Sequence, residues 1–398
     1  MNLWRGRKPL TSAGRLTITV GFGMILLYSG TFFLPIVIAD EVAQTFGTSR
    51  AVILGALGWG VIVSASLSPT SGRWIERTGG RNVFVFGICT QVLGLCLLSQ
   101  ATNIYWWFGA WTVLGIGMAF GFLDTAQAVI GRQLGAHART VFVTSSLISG
   151  FDSFVGWPLS HLLHVEFGWR SAALIFAGIY IAICIPLHIW GIAKVPPPAP
   201  PPPPPRLSTD PGPSRRGIVG LFAAHFTMRA FLMSMIGVQI LVILGGLGLS
   251  EGAAIAVAAL MGPSKVAGRA LDLIFRRRMT PLVAGWFSAL LLPLALLSPL
   301  AGGPAAGLAI TSAVSNGILA INRGTLPLYL LGPAGISTLL GKMALPCLLA
   351  SALSPPLTAP LFAMFPIEWI LLGMTALSLV AAACLIPLRS PRDQAKVG

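Results

Sequence analysis

Three charged side chains lie inside long apolar runs of the sequence, where a charge is most informative about chemistry. Arg229 and Asp152 fall about midway along two of these runs, and Lys265 lies toward one end of a third. A charge near the centre of a bilayer costs about 3 kcal/mol or more, so it normally faces a partner or a water-filled cavity. Fixed cations in a low-dielectric cavity favour a negatively charged guest, so the pattern predicts that Arg229 and Lys265 bind an anion. Asp152 would then carry a coupling proton or balance the two cations.

Each of these residues also has a purely structural interpretation. Arg229 and Asp152 could each close one pair between helices, and Lys265 could extend to the lipid headgroups. Tyr28 and Trp157 could line the same cavity, although most aromatic side chains in membrane helices only pack. The residues alone leave these alternatives open.

The remaining reactive side chains do not form an enzyme site. His161 and His164 lie one helical turn apart with no further His or Cys nearby, which favours a proton relay or an interfacial position over a metal site. The five cysteines all lie inside apolar runs without metal-ligand spacing, which favours packing. The sequence contains no Ser/His/Asp grouping, phosphate-binding loop or metal-binding helix signature. It therefore predicts neither an enzyme nor a cofactor or metal.

The composition predicts an integral membrane protein. The 398 residues are 55% hydrophobic and only 9% charged, whereas soluble domains carry about 25% charged residues. The net charge of +15 resides mainly in short segments between apolar runs, which favours membrane topology and anionic headgroups over nucleic acid. The first apolar run has no small-residue cleavage site after it, so we expect a retained first helix rather than a signal peptide.

Runs of about 20 apolar residues predict an all-α protein with twelve membrane-spanning helices. The predicted spans are 16–38, 51–70, 83–99, 105–128, 141–163, 171–192, 217–244, 252–272, 281–300, 305–321, 342–364 and 367–388. The stretch from Asn322 to Leu340 is only moderately apolar and could lie along the membrane surface.

The positions of Lys and Arg predict that both termini are cytoplasmic, since cytoplasmic loops are enriched in these residues. A proline-rich segment at 194–216 divides the chain into two six-helix bundles, residues 1–193 and 217–398. The expected location is the plasma membrane, in a bacterium the inner membrane. A protein of this design needs only one chain, so we expect a monomer in the lipid bilayer.

A short charged stretch, Ser71–Asn82, separates the second and third spans and predicts a tight turn in which glycines allow a sharp backbone. It resembles the loop between helices 2 and 3 of major facilitator superfamily transporters, roughly G-x-x-x-D-R-x-G-R-[RK]. Residues on or beside the motif are Gly72, Glu76, Arg77, Gly80 and Arg81, with Glu in place of Asp and one extra residue before Gly80. Arg73, Arg77 and Arg81 are expected to keep the turn on the cytoplasmic side.

The corresponding turn of the second half repeats the pattern. Gly268, Arg269 and Asp272 have the spacing of Gly72, Arg73 and Glu76, which indicates an internal repeat. The resemblance implies two pseudo-symmetric bundles and a gating role for these turns, and we expect Asp124 to brace the first of them. The gating residues predicted in this way are Gly72, Arg73, Glu76, Arg77, Arg81, Asp124, Arg269 and Asp272.

Further stretches resemble the branch that contains monocarboxylate transporters and the oxalate/formate antiporter. They are Phe46–Arg50, Phe167–Arg170 and the bend Gly262–Lys265. In that branch, cations of the C-terminal half pair with the substrate carboxylate, so the resemblance implies a proton-coupled transporter of a small organic anion. The alternatives are an exporter of a lipophilic drug or metabolite and a transporter-like sensor that moves nothing. Replacing Arg229 by Ala should then abolish anion binding in a folded protein.

Overall fold

The computed structural model describes residues 12–134, 138–193, 213–275, 279–331 and 336–388, and all regular elements in these ranges are helices. Turns of π-helix at Ser29–Phe33 and Tyr180–Cys184 interrupt the first and sixth membrane segments. The α-helices are α1 (Ser12–Tyr28), α2 (Leu34–Val37), α3 (Ala39–Thr45), α4 (Arg50–Thr78), α5 (Gly80–Ser99), α6 (Ile104–Gly121), α7 (Leu123–Leu134), α8 (Ala138–Ser149), α9 (Asp152–Ile179), α10 (Ile185–Gly191), α11 (Pro213–Gly246), α12 (Glu251–Ala259), α13 (Met261–Phe275), α14 (Pro281–Leu297), α15 (Ala305–Leu331), α16 (Ile336–Met364) and α17 (Ile367–Ala383).

The described residues contain twelve membrane segments, as the sequence predicted. Nine helical runs are long and apolar enough to cross a membrane, and one of them, Val141–Gly191, has 51 residues. Gly168 divides that run into two segments, because its φ of 74° and ψ of 164° are not helical. The two remaining segments are the apolar helices α14 and α17, each of 17 residues. Six segments precede residue 194 and six follow residue 212, and we call these the N-terminal and C-terminal halves.

Polar caps fix several helix boundaries. Ser49, Asn103 and Thr280 each have an extended backbone, and each side chain accepts a hydrogen bond from a backbone N–H of the first helical turn. Such caps satisfy N–H groups that have no partner within the helix. They place the helix starts close to where the apolar runs begin.

One detail of the predicted topology was wrong. Residues Asn322–Leu331 do not lie along a surface but continue α15, and Asn322 is buried with its Nδ2 donating to the Pro281 carbonyl at 3.0 Å. Residues 332–335 lie outside the described part of the chain, and α16 begins at Ile336. Helix α11 begins at Pro213, so the last four residues of the predicted linker are helical; residues 194–212 lie outside the described ranges.

The turn between the second and third segments is shorter than predicted. Helix α4 continues to Thr78, and Gly79 alone, with φ 83° and ψ 158°, separates it from α5. Gly72 lies inside α4 and has a helical backbone, so it does not shape the turn as we expected. The conformation of Gly79 is sterically closed to residues with a Cβ atom.

Substitution by alanine should therefore affect the stability of the protein differently at Gly79 and at Gly72. Gly79→Ala is expected to destabilise the protein by about 1–3 kcal/mol, because it forces a side chain into a glycine-only conformation. Gly72→Ala meets no atom within 4 Å and removes a flexible residue from a helix, so it should be neutral or stabilise by about 0.5–1 kcal/mol. Thermal unfolding of the purified variants measures the difference, and equal melting temperatures would contradict this account of the turn.

The two halves contact each other along two pairs of membrane segments. Helix α16 packs along α4, and α12 and α13 pack against α9. The first contact is close enough to involve backbone: a Cβ atom on Gly58 would overlap the Ala352 carbonyl oxygen. Glycine at this position thus permits the close approach of the halves. The second contact contains the candidate site.

Candidate functional site

Two broken helices meet where the halves touch. Helix α8 ends at Ser149 and α9 begins at Asp152, while α12 ends at Ala259 and α13 begins at Met261. The second break precedes Pro263, which has no N–H to donate, and the Ser264 hydroxyl bonds back to the Leu260 carbonyl at 2.7 Å. Breaks inside membrane helices are tolerated where the freed groups face protein or a cavity, and they commonly mark solute sites.

The breaks approach each other closely. A Cβ atom on Gly262 would lie 2.9 Å from the Phe154 nitrogen and 3.1 Å from the Gly150 carbonyl oxygen. Glycine at residue 262 is therefore required for this approach. The sequence predicted a bend at Gly262–Lys265 of the eighth segment, and the structure places the break two residues before Gly262, at Leu260.

Lys265 and Asp152 form an ion pair that joins the halves. The Lys265 Nζ lies 2.6 Å from the Asp152 Oδ1, and each side chain is 18% exposed. The same Oδ1 accepts a hydrogen bond of 2.6 Å from the Ser153 backbone N–H. Each charge in this low-dielectric environment is thus compensated by the other, and both remain partly accessible.

This pair borders a cavity between the halves. The cavity has a volume of about 180 Å³, and Tyr28, Trp157, Asp152 and Lys265 all line it, together with Met233, Ser234, Ser312 and Asn316. The Tyr28 ring stacks on Phe122 at 4.6 Å between centroids, and the Trp157 ring packs edge-on against Phe33 at 5.2 Å. The cavity is apolar apart from a few side chains, as expected for a small-molecule site. Four of the five predicted binding and coupling residues therefore come together here.

Arg229 is not among the residues that line this cavity. Its side chain is 1% exposed and lies inside the C-terminal half, although Met233, one helical turn away on α11, lines the cavity. The Arg229 Nη2 donates to the Ser315 Oγ at 2.6 Å and to the Ser288 Oγ at 3.3 Å. These contacts join α11 to α14 and α15. The structure thus does not bring Arg229 together with Lys265 as the sequence analysis expected.

Arg269, predicted as a gating residue, also crosses between the halves. It lies one turn beyond Lys265 on α13, and its Nη1 donates to the carbonyl oxygen of Ser146 on α8. The Ser146 hydroxyl is 3.4 Å from the same nitrogen. Asp272 lies half-buried near the end of α13. Two cations of α13 are therefore directed at the fifth membrane segment.

The other predicted gating residues lie around the turn at Gly79. The Arg81 Nε donates to the Ile192 carbonyl at 2.6 Å, and the Arg73 Nη2 donates to the Thr70 hydroxyl at 3.1 Å, whereas Arg77 is exposed. The side chains of Glu76 and Asp124 lie outside the described part of the structure. We call this end of the molecule, defined by Arg73, Arg77 and Arg81, the basic end.

The sequence analysis missed two groups of buried polar residues. Ser71 and Thr125 share a hydrogen bond of 3.0 Å that ties α4 to α7 near the basic end. In the N-terminal half, the Thr31 hydroxyl is 3.1 Å from the Gln91 Oε1 and 3.0 Å from the Tyr180 hydroxyl. A glutamine inside an apolar run was the one available signal for the second group.

No group of three His, Cys, Asp or Glu side chains within the described ranges is placed to hold a metal ion. Two six-helix halves, with an ion pair and a cavity between facing broken helices, define a class of polytopic membrane protein built to hold a small solute. The comparison with known families agrees with this class. Residues 20–345 match the family model of the Major Facilitator Superfamily, and the chain belongs to that family. It is an integral membrane protein of a transporter family and not an enzyme.

Individual relatives are distant. The chain is 24% identical over 171 residues to Monocarboxylate transporter 14 of Homo sapiens, which covers 43% of this chain and 33% of that protein. It is 22% identical over 171 residues to Monocarboxylate transporter 2 of Mus musculus, and this match covers 42% of this chain and 34% of that protein. The matched region thus spans about a third of the length of these relatives. A crystal structure of a bacterial homologue of the human lysosomal transporter Spinster has the same fold, with a TM-score of 0.64 and 15% sequence identity. The match covers 96% of this chain and 95% of that one.

Proposed function

We propose that the protein is a secondary transporter that moves a small monocarboxylate together with a proton, by alternating access of the cavity between its halves. The observation that carries this proposal is the Lys265–Asp152 pair, because it lines the cavity and joins the halves. The names of the distant relatives support the substrate class. Symmetrical halves that rock about a central site are a general design of secondary transporters.

The chemistry follows from the ion pair. In this proposal, a solute carboxylate replaces Asp152 as the partner of the Lys265 ammonium group. The solute therefore forms its ion pair with Lys265 only when Asp152 no longer does so. A proton that binds to the Asp152 carboxylate removes its charge and so releases Lys265 to the solute. One anion and one proton then enter together, and the site stays neutral throughout, which avoids an uncompensated charge in a low-dielectric environment. Tyr28 and Trp157 supply apolar surface that limits the solute to a small one.

Arg229 has no part in this proposed site. We assign the gating role of the turns to Arg269 at the interface and to the arginines of the basic end. The basic end is proposed to face the cytoplasm of a plasma membrane, in keeping with the enrichment of cytoplasmic loops in Lys and Arg. The proposed unit is a monomer of two bundles, 1–193 and 217–398, joined by the proline-rich segment.

Ligand-dependent thermal stabilisation tests the solute class. A ligand that binds only the folded protein, at a hundred times its dissociation constant, adds about 2.7 kcal/mol of stability. We expect acetate and lactate to stabilise the protein, more at pH 5.5 than at pH 7.5, because binding takes up a proton. Sugars should have no effect. Lys265→Met should remove the response and Arg323→Met, which removes an exposed cation of α15, should keep it; stabilisation of both variants alike would contradict the site.

One observation favours a second candidate, an exporter of a lipophilic compound. An almost wholly apolar groove of about 670 Å³ lies within the C-terminal half, between α11, α16 and α17, with Phe231, Met235, Phe365 and Trp369 among its walls. The groove does not lie between the halves. A rocking motion of the halves would therefore not directly change its access from either side of the membrane. Stabilisation by lipophilic cations, and not by carboxylates, would favour this candidate. Flux of solute into liposomes that contain the purified protein distinguishes either kind of transporter from a sensor that transports nothing.

A further inference from the structure

A second set of charges joins the halves at the end of the molecule opposite to the basic end. We call it the acidic end, defined by Asp40 and Glu41 of α3 and Glu251 of α12. A cavity of about 270 Å³ lies between the halves here, bordered by Asp40, Arg50 and Glu251. Ile36 lines both this cavity and the central one, so it separates them. Asp40, Glu41 and Glu251 are all exposed, so water and protons reach their carboxylates.

Each of the three carboxylates has a basic partner. Arg50 pairs with Asp40 and also donates to the Ile36 carbonyl at 3.2 Å. The His164 Nδ1 is 3.3 Å from the Glu41 Oε2, and the His161 Nδ1 is 3.7 Å from the Glu251 Oε1. Arginine is charged at every physiological pH, whereas histidine changes its charge between about pH 5 and 8. Only the two histidine pairs can thus respond to pH.

The two histidine pairs differ in what they connect. His164 and Glu41 both belong to the N-terminal half. His161 belongs to α9 of the N-terminal half and Glu251 begins α12 of the C-terminal half, so this pair bridges the two. Of the charged residues that follow His161 on α9, Glu166 is exposed, and Arg170 lies over the Trp169 ring and donates to the Ala101 carbonyl. Neither is paired with His161.

We propose that His161 and Glu251 form a proton-operated gate at the acidic end. A proton on His161 turns the contact into an ion pair that holds the halves together and closes the central cavity on this side. Loss of that proton leaves Glu251 facing Asp40 across the cavity, with Arg50 as the one fixed cation among the three charges that border it, so the two carboxylates favour separation. The gate depends on pH alone and goes beyond the proposed solute site, because it involves neither Lys265 nor Asp152.

The distance between the halves at the acidic end, measured without any solute, tests the gate. Spin labels at Val165 of the N-terminal half and Ala253 of α12, both exposed, would be introduced into the 398-residue protein with its five cysteines replaced by alanine. Glu251 is 71% exposed, and exposed ion pairs are weak. We therefore expect the ratio of short to long separations to rise only about two- to five-fold from pH 7.5 to pH 5.5.

Matched variants separate the gate from a general effect of pH. His161→Gln and Glu251→Gln should each abolish the pH response, since either removes the pair between the halves. His164→Gln should retain it, because its pair with Glu41 lies within one half. A response that persists in Glu251→Gln, or one that is lost equally in His164→Gln, would overturn the proposal, as would an unchanged distance in the parent protein. None of these outcomes bears on Lys265, so the solute site stands or falls separately.

Discussion

Replacing Lys265 by methionine is expected to reduce carboxylate transport at least about a hundred-fold. Two unit charges 4 Å apart attract by about 4 kcal/mol at an effective dielectric constant of about 20, and each 1.4 kcal/mol is a factor of ten in binding. Methionine fills a similar volume without the charge. The measurement is the initial rate of labelled acetate or lactate uptake into liposomes, with equal amounts of folded protein.

The same substitution should also destabilise the protein, for a separate reason. It leaves the Asp152 carboxylate, which is 18% exposed, without the cation 2.6 Å away. Removing one partner of a largely buried pair costs about 3 kcal/mol, because the other charge remains uncompensated. The double variant Lys265→Met/Asp152→Asn should recover most of that stability and none of the transport. If the double variant transports carboxylates, Lys265 does not bind them.

Asp152→Asn alone separates binding from coupling. Asparagine keeps the size of the side chain but cannot take up a proton, and Lys265 is then free to hold the solute at any pH. We expect binding to persist and to lose its dependence on pH, while a pH gradient no longer drives accumulation. The exposed cation Arg323 supplies the control, since Arg323→Met should change neither property. An unaltered pH profile in Asp152→Asn would assign the coupling proton to another residue.

The twelve membrane segments could be predicted from the sequence because the bilayer imposes a minimum apolar length on each. The candidates Asp152 and Lys265 could be found for a related reason: a charge inside an apolar run is costly and so seldom lacks a function. What the sequence could not show is that these two residues are partners. They lie 113 positions apart, and their contact depends on how the halves pack.

The errors have equally local causes. Gly72 and Gly79 stand in the same charged stretch, and only the backbone shows that Gly79 alone adopts a conformation reserved for glycine. The stretch that begins at Asn322 was expected to lie along the surface because it is only moderately apolar; the buried partner of Asn322, the Pro281 carbonyl at the start of α14, is not visible in that stretch. Arg229 was assigned to the cavity from its depth in the membrane. Depth gives no information about which face of a helix is turned toward the solute.

Arg229 provides the second large expected effect, and its direction is the reverse of what the sequence analysis expected. Arg229→Ala should lower stability severely and leave carboxylate affinity of the folded protein unchanged. The side chain is 1% exposed and holds α11 to Ser288 and Ser315, so alanine removes those hydrogen bonds and leaves a void. Core truncations of comparable size cost about 2–5 kcal/mol.

Arg229→Met separates the void from the charge. Methionine fills most of the space, and replacing a buried charge by an apolar group of similar volume is often neutral or stabilising. The methionine variant should therefore exceed the alanine variant in stability by about 2–5 kcal/mol, and both should bind carboxylates like the parent protein. Thermal unfolding and carboxylate titration of the same samples measure the two quantities. Loss of affinity in a stable Arg229→Met protein would return Arg229 to the solute pathway, with the cavity reaching it in another state of the transporter.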